Sequence, residues 1–138
     1  MRAPVTRRAD DGGDPQLSPA LTAYAILSAA RARRFLAFAD VAAANGAHWP
    51  RVRRQMGAHL KGVCADSLAA GGPMISALVV NRRHVATGAM EPETLAGFLA
   101  AARELGFAWE DGKAFLRAQQ AATFALPFPP GAGPATLP

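Results

Sequence analysis

Residues 49–70 read WPRVRRQMGAHLKGVCADSLAA, and the neighbouring elements are most easily understood from this stretch. Pro50 suits the first turn of a helix, because the N–H that proline lacks would be unbonded there in any case. Apolar residues recur at helical spacing at Val52, Met56, Leu60 and Val63. This spacing predicts an amphipathic helix with one face on a core and arginine and lysine on the other.

Cations cluster at the beginning of this predicted helix. Arg51 and Arg54 lie opposite the apolar stripe, Arg53 lies at its boundary, and Lys61 follows further along. The helix dipole disfavours positive charge at an N-terminus, so a negatively charged partner would remove the penalty. The alternative is an ordinary basic face in contact with solvent. Trp49 either stacks on such a partner or anchors the entry of the helix.

A first helix is predicted over residues 19–32. Ser18 is a favourable N-cap, and Pro19 fits the first turn. We expect Leu21, Tyr24, Ala25 and Leu27 to supply the buried side of this helix.

A strand and a short helix are predicted next. Phe35–Phe38 is a short apolar run and favours a strand, while Ala39–Asn45 favours a short helix. Gly46 follows in the position where a left-handed residue commonly ends a helix. A short helix, a tight turn and a basic helix together are typical of a helix-turn-helix.

A β-hairpin is predicted after the basic helix. Gly71-Gly72-Pro73 ends the helix, and Met74–Asn81 has the apolar, β-branched composition of a strand. A turn at 81–84 would lead into a second strand at Val85–Thr87, which forms a wing with Arg82 and Arg83 at its tip. In winged domains such a tip touches phosphate or the minor groove. The alternative is an exposed hairpin whose arginines serve solubility.

Two more helices are expected towards the C-terminus, one opened by Glu91-Pro92 and ended by Gly106, and one over 111–123. Apolar residues then alternate at Phe124, Leu126 and Phe128, as in an extended strap across the core or a segment that docks on a protein partner. The predicted fold is mainly α with a small β-hairpin: a winged helix-turn-helix core plus two C-terminal helices.

The domain organisation follows from composition. Residues 1–17 form a flexible N-terminal arm, 18–126 the winged-helix domain with its helical extension, and 127–138 a tail rich in proline and glycine. The uncharged stretch after Arg117 is interrupted by five prolines and two glutamines, so no membrane-spanning helix is expected. A single cysteine permits no intrachain disulfide, which suits a cytoplasmic protein.

Positive charge is concentrated in the middle of the chain. The net charge is +5, but residues 31–83 contain nine Arg/Lys against two Asp. From residue 90 onward, three Arg/Lys stand against five Asp/Glu. A phosphate-binding surface requires such an uneven distribution, although a GC-rich genome also enriches arginine.

The sequence contains no motif typical of a catalytic site or a metal site. There is no pair of carboxylates within one motif and no Gly-rich loop followed by Lys-Ser/Thr. His84 lies beside Arg82 and Arg83 without an acidic metal cluster, and the histidines have no zinc-finger spacing with Cys64. We therefore expect neither catalysis nor a metal or cofactor.

Three segments carry a resemblance to a known family. They are FADVAAANG at 38–46, VRRQMGAHL at 52–60 and LVVNRRHVATG at 78–88. With them, residues 23–88 resemble the C-terminal DNA-binding domain of the alkylguanine alkyltransferases and alkyltransferase-like proteins. The resemblance implies a winged domain that binds the minor groove, with an arginine that helps to extrude a base. The family's Pro-Cys-His-Arg active site is missing, so alkyl transfer is not expected. A third hypothesis is a protein that recognises DNA damage without repairing it, which would have to prefer a modified base.

A second resemblance extends further along the chain. PMISALVVN, VATG and AGFLAAARELG are similar to segments of small bacterial and phage proteins with a winged-helix core. Those proteins have a short Gly/Pro-rich turn where this chain has TGAMEPETLAG. The likeness implies the fold and no biochemical role.

The sequence therefore predicts a non-catalytic protein that binds nucleic acid, with duplex DNA favoured over RNA. The basic helix would supply Arg51, Arg53, Arg54 and Lys61, and the wing Arg82 and Arg83, with Arg33 and Arg34 as peripheral phosphate contacts. The alternative is a protein–protein adaptor or a small subunit of a phage, defence or nucleoprotein complex. Its partner would dock through Phe124, Leu126 and Phe128.

Overall fold

The computed structural model describes residues 17–127, which are mainly helical. The five α-helices are α1 (Pro19–Arg31), α2 (Phe38–Ala44), α3 (Trp49–Ala69), α4 (Pro92–Glu104) and α5 (Gly112–Phe124). The two strands, β1 (Leu36–Ala37) and β2 (Val79–Val80), have two residues each. The predicted tail beyond Pro127, and the predicted arm before Leu17, lie outside the described residues.

The ends of the helices agree with the local sequence signals. The Oγ of Ser18 accepts a hydrogen bond from the N–H of Leu21 at 3.1 Å and so caps α1. Gly46 and Gly106 follow α2 and α4 with φ of +68° and +100°, a region that glycine enters without steric cost. Asp111 caps α5 by accepting from the N–H groups of two residues in its first turn.

The buried side of α1 differs from the one that the sequence predicts. Leu21 and Tyr24 are about half exposed. The buried residues of α1 are instead Thr22, Ile26, Ala29 and Ala30. Ala25 and Leu27 are partly buried and pack against core residues, so the predicted face is confirmed for these two and wrong for Leu21 and Tyr24.

The predicted β-hairpin is wrong. Residues 75–78 form a 3-10 turn, and only Val79 and Val80 are extended. They pair in parallel with Leu36 and Ala37. Val85–Thr87 is not a strand, because Arg82–His84 forms a second 3-10 turn and the chain continues in turns to Gly88.

The hairpin prediction fails because the segment from Met74 to Val80 is buried. Every residue from Met74 to Val80 is buried. A short apolar run of this kind is compatible with a buried strand or with a buried helical segment, and its periodicity does not separate the two. Because the segment is enclosed on all sides, it has no polar face that could have formed the outer side of a hairpin.

Two hydrophobic clusters hold the elements together. In the first, α1, α2 and α3 pack around β1 and β2 through residues such as Ile26, Val41, Val52, Met56 and Val79. In the second, α3 packs against α4 and α5 through Cys64, Met74, Phe98, Ala102 and Leu116. Since α3 belongs to both clusters, it is the central helix, and its first turns are held in a fixed orientation.

The loop that was predicted to be a wing is fastened to α5. The side-chain amide of Gln120 donates to the carbonyl oxygens of Ala77 at 3.0 Å and Gly88 at 2.8 Å. Arg117 donates to the carbonyl oxygen of Thr87 at 3.0 Å. The ring of Phe35 lies directly against Gly88. The loop is therefore a packed surface element and does not project as a hairpin.

The predicted C-terminal strap packs on the core through Phe124 and Leu126, but it is not extended at Phe124. Phe124 is the last residue of α5, and its ring contacts that of Phe35 edge to face, with centroids 5.2 Å apart. Leu126 packs against the first cluster. Phe128 lies outside the described residues. Between residues 17 and 127, no helix is both long and apolar enough to cross a bilayer.

Candidate nucleic-acid interface

Packing against α2 determines the direction in which α3 begins. The indole of Trp49 stacks on the ring of Phe38, with centroids 5.8 Å apart and planes inclined by 23°. Val52 and Met56 are buried beneath. Trp49 therefore anchors the entry of the helix, which was one of the two roles that its position allowed.

This anchoring leaves three arginines on the outside of the first turns of α3. Arg51, Arg53 and Arg54 are all exposed. Within residues 17–127, none of the three has an acidic side chain in salt-bridge contact. Their charges stand at the positive end of the helix dipole, where cations are disfavoured by about 0.3–1 kcal/mol each at an exposed site. The arrangement is unfavourable for the isolated protein and favourable for an anion.

Lys61 belongs to a different contact. It lies further along α3, and its ammonium forms an ion pair with the carboxylate of Glu104 at the end of α4. This pair links two helices of the second cluster. A phosphate would have to compete with Glu104 for Lys61.

Arg82 and Arg83 are exposed, and each has a carboxylate partner. The Nη2 of Arg82 lies 3.1 Å from the Oδ1 of Asp40, and the Nε of Arg83 lies 3.3 Å from the Oε2 of Glu91. The Nε2 of His84 is 3.6 Å from the same Glu91 oxygen. Exposed pairs of this kind contribute little to stability, on the order of 0–1 kcal/mol. The arginines are therefore available to a competing phosphate at small cost.

The first turn of α2 connects the loop arginines with the start of α3. Asp40, the partner of Arg82, lies two residues after Phe38, whose ring stacks on Trp49. Asp40 also accepts from the N–H of Ala37 at 2.8 Å, so its carboxylate is held at the start of α2. The first turn of α2 therefore contacts Arg82 through Asp40 and the start of α3 through Phe38.

Arg33 and Arg34 lie at the other end of this half of the molecule. Arg33 has a φ of +58°, in the left-handed region, and its guanidinium lies 5.3 Å from the centroid of the Phe124 ring. This is the distance of a cation–π contact. Arg34 is exposed. Both precede Phe35, whose ring lies against Gly88.

A polar network that the sequence does not reveal joins the first three helices. The hydroxyl of Thr22 on α1 accepts from the Nδ2 of Asn45 at 2.9 Å and lies 2.7 Å from the Nε2 of His59 on α3. The Oδ1 of Asn45 accepts from the N–H of Ser18 at 2.7 Å. Because Thr22 has one proton to give, Nε2 of a neutral His59 is its natural acceptor. Burial lowers the pKa of His59, in agreement with a neutral ring.

Two sites that the sequence left open, a metal centre and a reactive thiol, can be examined directly. Among residues 17–127, no three His, Cys, Asp or Glu side chains are grouped as metal ligands. Cys64 is fully buried, its thiol donates to the hydroxyl of Ser76 at 3.1 Å, and burial raises the pKa of the thiol. The thiolate needed for nucleophilic chemistry is thereby disfavoured.

Comparison with family models, curated proteins and solved structures finds no match to this chain. Inference about function therefore rests on the geometry and charge of the surface around α3.

Proposed function

We propose that this protein is a non-catalytic nucleic-acid-binding protein, with duplex DNA as the favoured ligand. In the proposal, α2, the turn at Gly46 and α3 act as a helix-turn-helix, and α3 is the helix that enters a groove. The observation that carries the proposal is the exposed group of Arg51, Arg53 and Arg54 on the first turns of α3, which has no acidic partner within residues 17–127.

The position of these arginines supports the proposal. Recognition helices present their N-terminal residues to the edges of bases and to phosphates. Trp49, Val52 and Met56 fix the start of α3 on the core, so little ordering of the backbone would be required on binding. Phosphate would also neutralise the cations at the unfavourable end of the helix dipole.

The other cations of the proposed interface either are paired with carboxylates or lie outside α3. Lys61, Arg82 and Arg83 are paired with carboxylates and would act as secondary phosphate contacts, because each must exchange one anion for another. Arg33 and Arg34 lie beyond the loop and would be peripheral. In this arrangement the loop from Arg82 to Gly88 takes the place of a wing without being a hairpin.

The test is binding to a fluorescently labelled duplex of random sequence, measured across a salt series. The wild-type chain should bind at low salt and weaken steeply as salt rises. The variant Arg51→Ala/Arg54→Ala should weaken binding and flatten the slope of log K against log salt by about two. Lys113→Ala on α5 is the matched control, since it removes one exposed cation near the start of another helix. Absence of binding at low salt would refute the proposal.

A protein partner is the second candidate, and a cavity between α1 and α3 favours it. A mainly apolar groove of about 560 Å³ runs between α1 and α3, with Ala23, Leu27 and Val63 in its walls and Leu126 at its edge. The wild-type chain would then fail to bind duplex, and Ala23→Trp, which fills the groove, would abolish recruitment of the protein partner in cells. Phe124 does not contribute to such a surface, because its ring packs against Phe35.

A further inference from the structure

A second, smaller cavity lies between α3 and α4, on the opposite side of α3 from the groove beside Leu126. Its volume is about 200 Å³. Its interior is formed by apolar side chains of α2, α3, β2 and α4, among them Phe38, Leu60, Val79 and Phe98. Three of these, Leu60, Val79 and Phe98, are buried and form its apolar floor, while Gly57, Glu93 and Gly97 are exposed and border its open side.

Two glycines in helix interiors border this cavity. Gly57 on α3 and Gly97 on α4 both line it, and a Cβ placed on either would meet no atom within 4 Å. Glycine inside a helix costs about 1 kcal/mol relative to alanine. Neither glycine has a positive φ or a close neighbour that would explain this cost. Both are exposed, and their missing side chains leave the mouth of the cavity open.

The cavity also contains a buried hydroxyl with unused hydrogen-bonding capacity. Ser76 lines it and is 8% exposed. Its Oγ accepts from the thiol of Cys64, which is its only hydrogen-bond partner within residues 17–127. A hydroxyl has one proton to donate and two lone pairs. Ser76 therefore retains a donor and one acceptor position in a site otherwise lined mainly by apolar groups.

Size and charge restrict what this cavity can hold. An apolar cavity of about 150 Å³ in another protein binds benzene, whereas sites for drug-sized ligands start at about 300 Å³. The present volume therefore matches one aromatic ring with a small substituent. Lys61 and Glu93 are the charged residues among those that line the cavity. Their opposite charges favour a ligand without net charge.

We propose that this cavity is a binding site for a neutral, single-ring aromatic molecule that carries a hydroxyl or a similar hydrogen-bonding group. The ring lies among Leu60, Val79 and Phe98, and the polar group bonds to the hydroxyl of Ser76. The site does not depend on nucleic-acid binding. Because Gly57 and Leu60 belong to α3, the ligand contacts the same helix that carries Arg53.

The test uses phenol as the probe and toluene as a probe of similar size without the hydroxyl, with binding followed by chemical-shift changes in the full chain. Wild type should bind phenol more tightly than toluene. Gly97→Leu should lower the affinity for both probes at least tenfold, since the new side chain occupies the cavity. Gly62→Leu is the matched control: Gly62 is an exposed glycine inside α3 whose Cβ would also meet no atom, and it does not line the cavity.

Ser76→Ala separates the polar contact from simple occupancy. The loss of one hydrogen bond should lower the affinity for phenol by about three- to tenfold and leave that for toluene unchanged. If Gly97→Leu does not fold, Gly57→Leu fills the cavity from the opposite wall. The proposal is overturned if neither probe binds at millimolar concentration, if filling the cavity leaves binding intact, or if Ser76→Ala weakens both probes alike.

Discussion

Arg82 and Asp40 form a two-pronged ion pair between the loop after β2 and the first turn of α2. The Nη2 and Nη1 atoms of Arg82 lie 3.1 Å and 3.4 Å from the two carboxylate oxygens of Asp40. Asp40 also accepts from the N–H of Ala37. The same carboxylate thus lies at the start of a helix and neutralises a cation of the proposed nucleic-acid interface.

Removing the charge of Asp40 should strengthen nucleic-acid binding. In Asp40→Asn, the side-chain oxygen still accepts from Ala37, while Arg82 becomes available to phosphate. We expect duplex affinity at low salt to rise about threefold and the salt slope to steepen by about one. Asp66→Asn is the matched control, because it removes one exposed carboxylate from the far end of α3. An equal gain in both variants would mean that Arg82 makes no specific contact.

Stability should fall as the pH is lowered, through His59. Burial lowers the pKa of His59 in the folded chain below its ordinary value of about 6.5. The unfolded chain therefore binds a proton first, so the stabilisation is complete above about pH 6.5 and is lost as the pH falls below it. Urea unfolding at pH 7.5 and 5.5 measures this loss.

The variant His59→Gln identifies the source of that pH dependence. Its glutamine can still hydrogen-bond to Thr22 but cannot titrate, so the difference in stability between pH 7.5 and 5.5 should shrink. His48→Gln, at an exposed position before α3, should keep the wild-type difference. A profile that His59→Gln leaves unchanged would assign the effect to other groups.

A side chain at Gly88 should destabilise the fold. Its φ is +79°, and a Cβ there would lie 2.3 Å from an atom of the Phe35 ring. Backbone strain of about 1–2 kcal/mol adds to overpacking of about 1–3 kcal/mol, so Gly88→Ala should lose about 2–5 kcal/mol of unfolding free energy. Gly46→Ala has a similar φ of +68° with no atom within 4 Å. It should therefore lose only the strain, and equal losses in denaturant unfolding would contradict the close contact with Phe35.

The sequence predicts well those features that depend on neighbouring residues. The stripe Val52, Met56, Leu60 and Val63 is buried as the helical spacing indicates. Gly46 and Gly106 have a positive φ and follow the ends of their helices, as predicted. This signal is readable from the sequence because it depends only on the local backbone. In each case, the residues that determine the structure lie within a few positions of one another.

Features that depend on distant residues are not predictable in this way. The parallel pairing of Leu36 with Val79 replaces the expected hairpin because tertiary packing encloses the second segment completely. The partners of the expected cations are equally remote: Lys61 pairs with Glu104, 43 residues away, and Arg82 with Asp40, 42 residues away. Among residues 17–127, Lys61, Arg82 and Arg83 have a carboxylate partner and the arginines at the start of α3 have none, a difference that the charge of the sequence does not reveal.

Site-specific cross-linking tests most directly whether the start of α3 faces nucleic acid. Cys64 is the only cysteine and is buried, so a photoreactive maleimide attaches selectively to a cysteine introduced at the surface. Ala58→Cys places it on the exposed side of α3, one turn after Arg54, and Ala118→Cys places it on the exposed side of α5. On illumination with a labelled duplex, Ala58→Cys should form a salt-sensitive cross-link and Ala118→Cys should not. No product at position 58, or an equal yield at 118, would contradict the interface.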